Sequence, residues 1–137
     1  EKLNKLEVVE ADLRKAIKLK PDYAHAYNAL GYTLTEQTDR LNEATELLDK
    51  AISLAPEDPF ILDSMGWLHY RKGNLGKARE FLERAWRLRQ DPEIAAHLGE
   101  VMWMDGSRDE ASRLWRSSLQ SHPKNEVLIE ILKKFKQ

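Results

Sequence analysis

The chain has 137 residues, of which 42% are hydrophobic and 33% are charged, and it has no apolar run of transmembrane length. Lys and Arg (22) nearly balance Asp and Glu (23), so no overall positive field favours nucleic acid or an anionic membrane. The absence of cysteine excludes thiol catalysis, thiolate metal sites and disulfide bonds.

The dominant pattern is an internal repeat. A large apolar residue followed by glycine, with alanine 12 or 13 residues after the glycine, occurs three times at intervals of 35 and 33 residues. The repeated residues are Gly31, Gly66 and Gly99 with Ala44, Ala78 and Ala111. A period of this length predicts stacked helical units, each made of an A helix and a B helix.

Residues 1–20 match the B half of a unit that precedes the first complete one. One period of the repeat separates Leu13, Ala16 and Pro21 from the equivalent Leu48, Ala51 and Pro56. Because the matching A helix is missing, we expect either a truncated unit or an apolar surface that another copy of the chain covers.

Three complete units follow. Their predicted boundaries are residues 21–56, 57–91 and 92–123. Asp22, Asp58 and Asp91 each adjoin a proline, a pattern that predicts the N-caps of the three A helices. Ser107 and Glu110 have the spacing of a capping box, which predicts the start of the third B helix.

Residues 124–137 are predicted to form a closing helix. It begins with an Asn cap, and Leu128, Ile131 and Phe135 fall on one apolar face while lysines fall on the other. The chain is therefore predicted to contain a half unit, three full units and one final helix.

The glycines of the repeat fall inside predicted A helices, where glycine costs roughly 1 kcal/mol relative to alanine. That cost indicates a neighbouring helix too close for a side chain. We expect Ala44, Ala78 and Ala111 to be the small residues opposite the glycines.

These units resemble the tetratricopeptide repeat, whose pattern is an aromatic residue, Leu-Gly, a second aromatic residue, an alanine, a large apolar residue four positions later and a closing proline. The first unit contains Tyr27, Leu30, Gly31, Leu34, Ala44, Leu48, Ala51 and Pro56, the second contains Leu62, Met65, Gly66, His69, Ala78, Leu82 and Ala85, and the third contains Ala95, Leu98, Gly99, Met102, Ala111, Trp115 and Pro123. The resemblance implies an all-α fold, a right-handed α-solenoid of antiparallel helix pairs.

Residues 63–73 and 91–101 are similar to the C-terminal units of long tetratricopeptide proteins of Gram-negative bacteria. Some of those proteins are periplasmic lipoproteins that act as adaptors. This resemblance favours the bacterial periplasm, with the cytoplasm as the alternative.

The resemblance also implies that one face of the A helices lines a concave groove that binds a partner. The corresponding residues here are His25, Asn28, Tyr32, Asp63, Trp67, Tyr70, Arg71, His97, Glu100 and Trp103. We expect Trp67, Tyr70 and Trp103 to form an exposed aromatic cluster with polar edges, as in interface hot spots. The alternative is that these rings pack one A helix against the next.

No catalytic or metal site is predicted. His25 and His97 lie two units apart, and because helices pack 8 to 10 Å apart we expect them roughly 20 Å from each other, too far to share a metal. Ser64 with His97, and Asp63 with Glu100, have the residue types of catalytic pairs but no further support in the sequence. We expect no enzyme activity, no cofactor and no metal.

The sequence therefore predicts a scaffold or adaptor that binds a protein or peptide in the groove, with neither nucleic acid nor membrane insertion involved. Two alternatives remain open. The first is a self-association module that uses its terminal helices, and the second is the regulatory domain of an enzyme whose catalytic part lies elsewhere.

Overall fold

The structure is a computed structural model that describes residues 2–135, with side chains described from residue 5. Residues 1, 136 and 137 of the predicted terminal segments lie outside the described residues. Between residues 2 and 135 the chain forms eight helices and no strand. They are α1 (Lys2–Leu19), α2 (Ala24–Gln37), α3 (Leu41–Leu54), α4 (Pro59–Arg71), α5 (Leu75–Leu88), α6 (Pro92–Met104), α7 (Arg108–Ser121) and α8 (Glu126–Lys134).

The helices form an all-α, right-handed solenoid, as predicted. We call α2, α4 and α6 the A helices, and α3, α5 and α7 the B helices. Each A helix packs on the B helix that follows it, and the pairs stack so that α2 contacts α4 and α4 contacts α6. Helix α1 packs on α2, and α8 packs on α6 and α7. The limits of the repeat units within this stack remain predictions.

Two of the three predicted aspartate caps are present. The Asp58 carboxylate accepts hydrogen bonds from the backbone N–H groups of Phe60 (2.8 Å) and Ile61 (3.2 Å), and Asp91 accepts one from Glu93 (2.9 Å). The prediction for Asp22 is wrong, because α2 begins at Ala24 and no side chain caps it.

The predicted capping box at the start of α7 is also wrong. Ser107 makes no cap hydrogen bond with the helix. The guanidinium of Arg79 on α5 instead engages both residues of the pattern, Glu110 at 2.9 Å and the Ser107 hydroxyl at 3.4 Å. These two side chains therefore join α5 to α7 rather than closing the first turn.

The glycines of the repeat do lie where a B helix comes close. A Cβ added to Gly31 would lie 2.6 Å from Leu48 Cγ, and one added to Gly66 would lie 2.5 Å from Leu82 Cγ. At Gly99 the added atom would overlap the ring of Trp115. The nearest atoms belong to large side chains one turn beyond the alanines. The expected alanines contribute backbone oxygens, that of Ala44 at 3.5 Å from the Cβ added to Gly31 and that of Ala78 at 3.1 Å from the one added to Gly66. Ala44, Ala78 and Ala111 are fully buried beside these large side chains.

The two ends of the solenoid differ in cover. Leu128 and Ile131 of α8 are buried against α6 and α7, in the same cluster as Trp103 and Trp115. Helix α1, by contrast, exposes Val8, Val9 and Leu19 (59%, 41% and 76%).

Ion pairs fix α1 to the turn before α3. The Glu10 carboxylate binds the guanidinium groups of Arg40 (2.7 Å) and Arg14 (2.9 Å). The hydrogen bond from Arg40 lowers the pKa of Glu10 to about 2. Among the described residues, no helix combines the length and apolarity that a membrane span requires.

Candidate functional site on the A helices

The candidate site is a layer of aromatic and ionisable side chains on the three A helices. We call it the A-helix face and define it by the following residues: Asn28, Tyr32 and Glu36 on α2; Asp63, Trp67, Tyr70 and Arg71 on α4; Glu93, His97 and Glu100 on α6. The residues of α4 lie between those of α2 and α6, because α4 packs against both helices.

His97 joins all three A helices. Its Nδ1 lies 2.8 Å from Asp63 Oδ1, and its Nε2 lies 3.4 Å from the hydroxyl of Tyr32. The imidazole stacks on the indole of Trp67, with ring centroids 4.1 Å apart. A single side chain of α6 therefore contacts α4 and also α2, two units away.

The surroundings of His97 favour its protonated form. Burial alone lowers the pKa of the imidazole, but the neighbouring carboxylate of Asp63, with Glu36 and Glu100 further away, outweighs burial and holds that pKa above its ordinary value. Only 13% of the His97 side chain and 9% of the Asp63 side chain are exposed. The pair is thus a buried interaction that depends on charge.

Two tyrosines donate hydrogen bonds to carboxylates of this face. The Tyr32 hydroxyl donates to Glu36 (3.0 Å), and the Tyr70 hydroxyl donates to Glu100 (2.8 Å). Burial, reinforced by these carboxylates, raises the pKa of both phenols. Both tyrosines therefore stay neutral near pH 7.

Arg71 contributes the one guanidinium on the A helices. It donates a hydrogen bond to the backbone carbonyl of Thr35 and lies 3.8 Å from a carboxylate oxygen of Asp39. Arg71 is therefore tied to the end of α2 and the turn that follows it.

Two of the three predicted groove aromatics are not exposed. Trp67 and Trp103 are each 7% exposed, and only Tyr70 is half-buried. His97 covers Trp67, whereas Trp103 packs against Trp115 and Phe135 with centroids 5.9 and 5.6 Å apart. The expected exposed cluster is therefore wrong for these two rings.

The remaining predicted groove residues lie at the edge of the network. His25 is exposed, with its ring 6.4 Å from that of Tyr23. The Oδ1 atom of Asn28 is buried without a hydrogen-bond partner in the described part of the chain. Within residues 2–135, no three His, Cys, Asp or Glu side chains are placed to hold a metal ion.

The residues of the pairs considered as catalytic from sequence bind other partners instead. The Ser64 hydroxyl donates to the Phe60 carbonyl (3.1 Å), and Asp63 pairs with His97 whereas Glu100 pairs with Tyr70. The reasoning that kept residues of different units apart missed the contact between Tyr32 and His97. Glu36 was also missed, although it stands one turn after Tyr32 in the sequence.

Two clefts lie between successive B helices. One, of about 470 Å³, lies between α3 and α5 and is lined by Asp49, Lys77 and Phe81, among others. His69 stacks on Phe81 inside it, with ring centroids 5.4 Å apart. The second, of about 380 Å³, lies between α5 and α7 and includes Trp86.

Comparison with known proteins identifies the repeat. Residues 24–58 and 61–91 each match a family model described as tetratricopeptide repeat. A TPR repeat-containing protein of Pseudomonas aeruginosa is 54% identical over 100 residues, which are 73% of this chain and 17% of that protein. The mitochondrial import receptor subunit TOM70 of Rattus norvegicus is 31% identical over 84 residues, 61% of this chain and 14% of that protein. The chain thus spans less than a fifth of the length of these relatives.

A solved structure shows the same fold. The crystal structure of a thermophilic TPR protein of Thermus thermophilus superposes with a TM-score of 0.83 and covers 96% of this chain and 74% of that one. At 23% identity, this likeness concerns the fold alone.

Proposed function

The chain belongs to the tetratricopeptide repeat family, and on that premise we propose that it is a non-catalytic scaffold whose A-helix face binds a segment of a partner protein. Repeats of this family generally mediate binding between proteins. A solenoid suits that task because it presents side chains from several units on one continuous surface.

The observation that carries the proposal is the convergence of three units at His97. Tyr32, Asp63 and Trp67 come from α2 and α4, and all of them contact this one side chain of α6. Such a cluster of rings and hydrogen-bonding groups has the composition of an interface hot spot. We do not propose catalysis, since the hydroxyls that pair with bases on this face, those of Tyr32 and Tyr70, have raised pKa values and stay neutral.

The burial of the tryptophans decides which positions suit a test. Replacing Trp67 or Trp103 by alanine would remove core volume and cost several kcal/mol of stability, so the loss of a partner would be ambiguous. Glu93, on the A-helix face, and Glu46, on the B helix α3, are both exposed and avoid this problem.

We therefore propose site-specific photo-crosslinking with benzoylphenylalanine at position 93 and, as the matched control, at position 46. The full-length protein is expressed in its own cells, irradiated and analysed by mass spectrometry. We expect a defined protein crosslinked at position 93 and absent at position 46. The same crosslinks at both positions, or none at position 93, would contradict a binding role for the A-helix face.

A second candidate function is self-association through α1. The exposed Val8, Val9 and Leu19 favour it, because apolar residues at the end of a solenoid form the kind of surface that another copy covers. We expect Val8→Glu to shift a concentration-dependent dimer to monomer in light scattering. A molecule that is monomeric across a wide concentration range removes this candidate.

A further inference from the structure

The A-helix face has an unbalanced charge. Helices α2, α4 and α6 hold four carboxylates, no lysine and one guanidinium, that of Arg71. The carboxylates are Glu36, Asp63, Glu93 and Glu100. Arg71 already interacts with Asp39 and with the backbone of α2, so it offsets little of this negative charge.

Internal partners neutralise only one of these four carboxylates. Glu36 and Glu100 accept hydrogen bonds from phenols, which carry no charge. Asp63 alone faces a group that can become cationic, His97. Glu93 is exposed and has no partner side chain within hydrogen-bond distance in the described part of the chain. The negative potential of the face therefore persists in the folded protein.

Aromatic rings lie among these charges. The Tyr32 hydroxyl donates a hydrogen bond to Glu36 at 3.0 Å, and, after burial, the charges of Glu36, Asp63 and Glu93 raise the pKa of this phenol. Trp67 is only 7% exposed. The centroid of its indole lies 4.1 Å from that of the His97 ring and 4.8 Å from that of the Tyr70 ring. These two rings bind the carboxylates of Asp63 and Glu100. The indole N–H of Trp67 is buried and has no acceptor among the described residues.

The B helices do not share this negative charge. Helices α3, α5 and α7 together carry eight basic and seven acidic residues, and the basic excess lies on α5 and α7, because α3 has three carboxylates and one lysine. A cationic segment is therefore attracted more strongly to the A helices than to α5 or α7.

We propose that the A-helix face binds a basic segment of its partner, with a Lys or Arg side chain held by Glu36 and Glu93 against the ring of Tyr32. Carboxylates beside an aromatic ring provide both charge-assisted hydrogen bonds and cation–π attraction, the two interactions that a guanidinium uses best. This inference rests on the proposed function and names the chemistry of its partner.

The test uses two synthetic 16-residue peptides labelled with fluorescein. One contains Ala and Leu with Arg at every fourth position, and its twin has Glu at those positions. Fluorescence anisotropy with the intact chain at 50 mM salt should show at least tenfold tighter binding of the Arg peptide. Raising the salt to 300 mM should weaken that binding severalfold, because ions screen exposed charges.

Matched variants locate the interaction. Glu36→Gln with Glu93→Gln removes two charges from the A-helix face and retains side-chain size, and we expect at least fivefold weaker binding of the Arg peptide. Glu46→Gln with Glu80→Gln removes two charges from exposed positions of the B helices and should change binding less than twofold. Circular dichroism of both variants checks that the helices are intact.

Three outcomes would overturn the inference: equal binding of the two peptides, tighter binding of the Glu peptide, or equal effects of the two double variants. Dimers that form at low salt and disappear with Glu36→Gln and Glu93→Gln would assign the face to a second copy of the chain and would overturn it too. If one of these outcomes occurs and position 93 still crosslinks to a defined protein, the proposed function stands and only the basic character of the partner is wrong.

Discussion

At the scale of single residues, two glycines that both lie in helices differ in the space available for a side chain. Gly66 lies in α4 against α5, and an added Cβ would meet both the fully buried Leu82 and the backbone oxygen of Ala78, at 2.5 and 3.1 Å. Gly76, in the first turn of α5, has no atom within 4 Å of such a Cβ. The same substitution therefore has opposite expected effects at the two positions.

We predict that Gly66→Ala lowers the free energy of unfolding by about 1–3 kcal/mol, the usual cost of overpacking a core. Gly76→Ala is the control and should be neutral or stabilise the helix by up to about 1 kcal/mol. Urea denaturation followed by circular dichroism measures both. A Gly66→Ala variant as stable as the wild type would mean that α5 moves away from α4 without cost.

His97 gives the stability of the chain a dependence on pH with a defined sign. Because its pKa in the folded state lies above the ordinary value, the folded protein binds this proton more tightly than the unfolded chain does. The resulting stabilisation is complete below about pH 6.5, the ordinary histidine pKa, and is lost as the pH rises through the raised value.

We predict that His97→Gln loses more stability, relative to the wild type, at pH 5.5 than at pH 8.5. Thermal melts of both proteins at each pH provide the comparison, and the titration of other groups cancels in the difference. NMR of the imidazole should also show a midpoint above 6.5. An equal loss at the two pH values would mean that the ring acts through packing on Trp67 alone.

At the scale of the helices, two helix N-termini that look alike in sequence differ in their N-cap hydrogen bonds. Asp58 and Asp22 both adjoin a proline, but only Asp58 accepts hydrogen bonds from the first turn of its helix. The difference arises because α2 begins after Tyr23, one residue later than Asp22 requires.

We expect Asp58→Ala to lower the free energy of unfolding by about 1 kcal/mol, as loss of an N-cap commonly does. Asp22→Ala removes the same charge without removing a cap, and its effect should stay within a few tenths of a kcal/mol, as for ordinary surface substitutions. Chemical denaturation of the two variants, made in the same background, separates these cases. Equal losses would indicate that charge, rather than the cap hydrogen bonds, stabilises the start of α4.

The same contrast shows how far prediction from sequence extends. The repeat period and local punctuation such as Asp58-Pro59 predicted the all-α solenoid, since those signals act within one or two turns of helix. Contacts between units depend on how much each unit rotates against the next. The contact between Tyr32 and His97, 65 residues apart, was missed for that reason, as was the cover that α8 places over Trp103.

At the scale of the whole molecule, helices differ in how many neighbours support them. Helix α4 packs against α2, α3, α5 and α6, whereas α1 packs against α2 and α8 against α6 and α7. In a solenoid the stability of each helix is set largely by such adjacent contacts, so the ends should open more readily than the middle.

We predict from this that hydrogen exchange of backbone amides is slowest in α4, intermediate in α8 and fastest in α1. Leu128→Ala in α8 tests the mechanism, because Leu128 is fully buried and its loss should cost about 2–5 kcal/mol locally. We expect the variant to accelerate exchange in α8 and the adjoining end of α7 while α2 retains its wild-type rate. Mass spectrometry of peptic fragments resolves these segments. Equal acceleration in every helix would mean that the solenoid opens as one cooperative unit, and the charged A-helix face would then form and disappear with the entire fold.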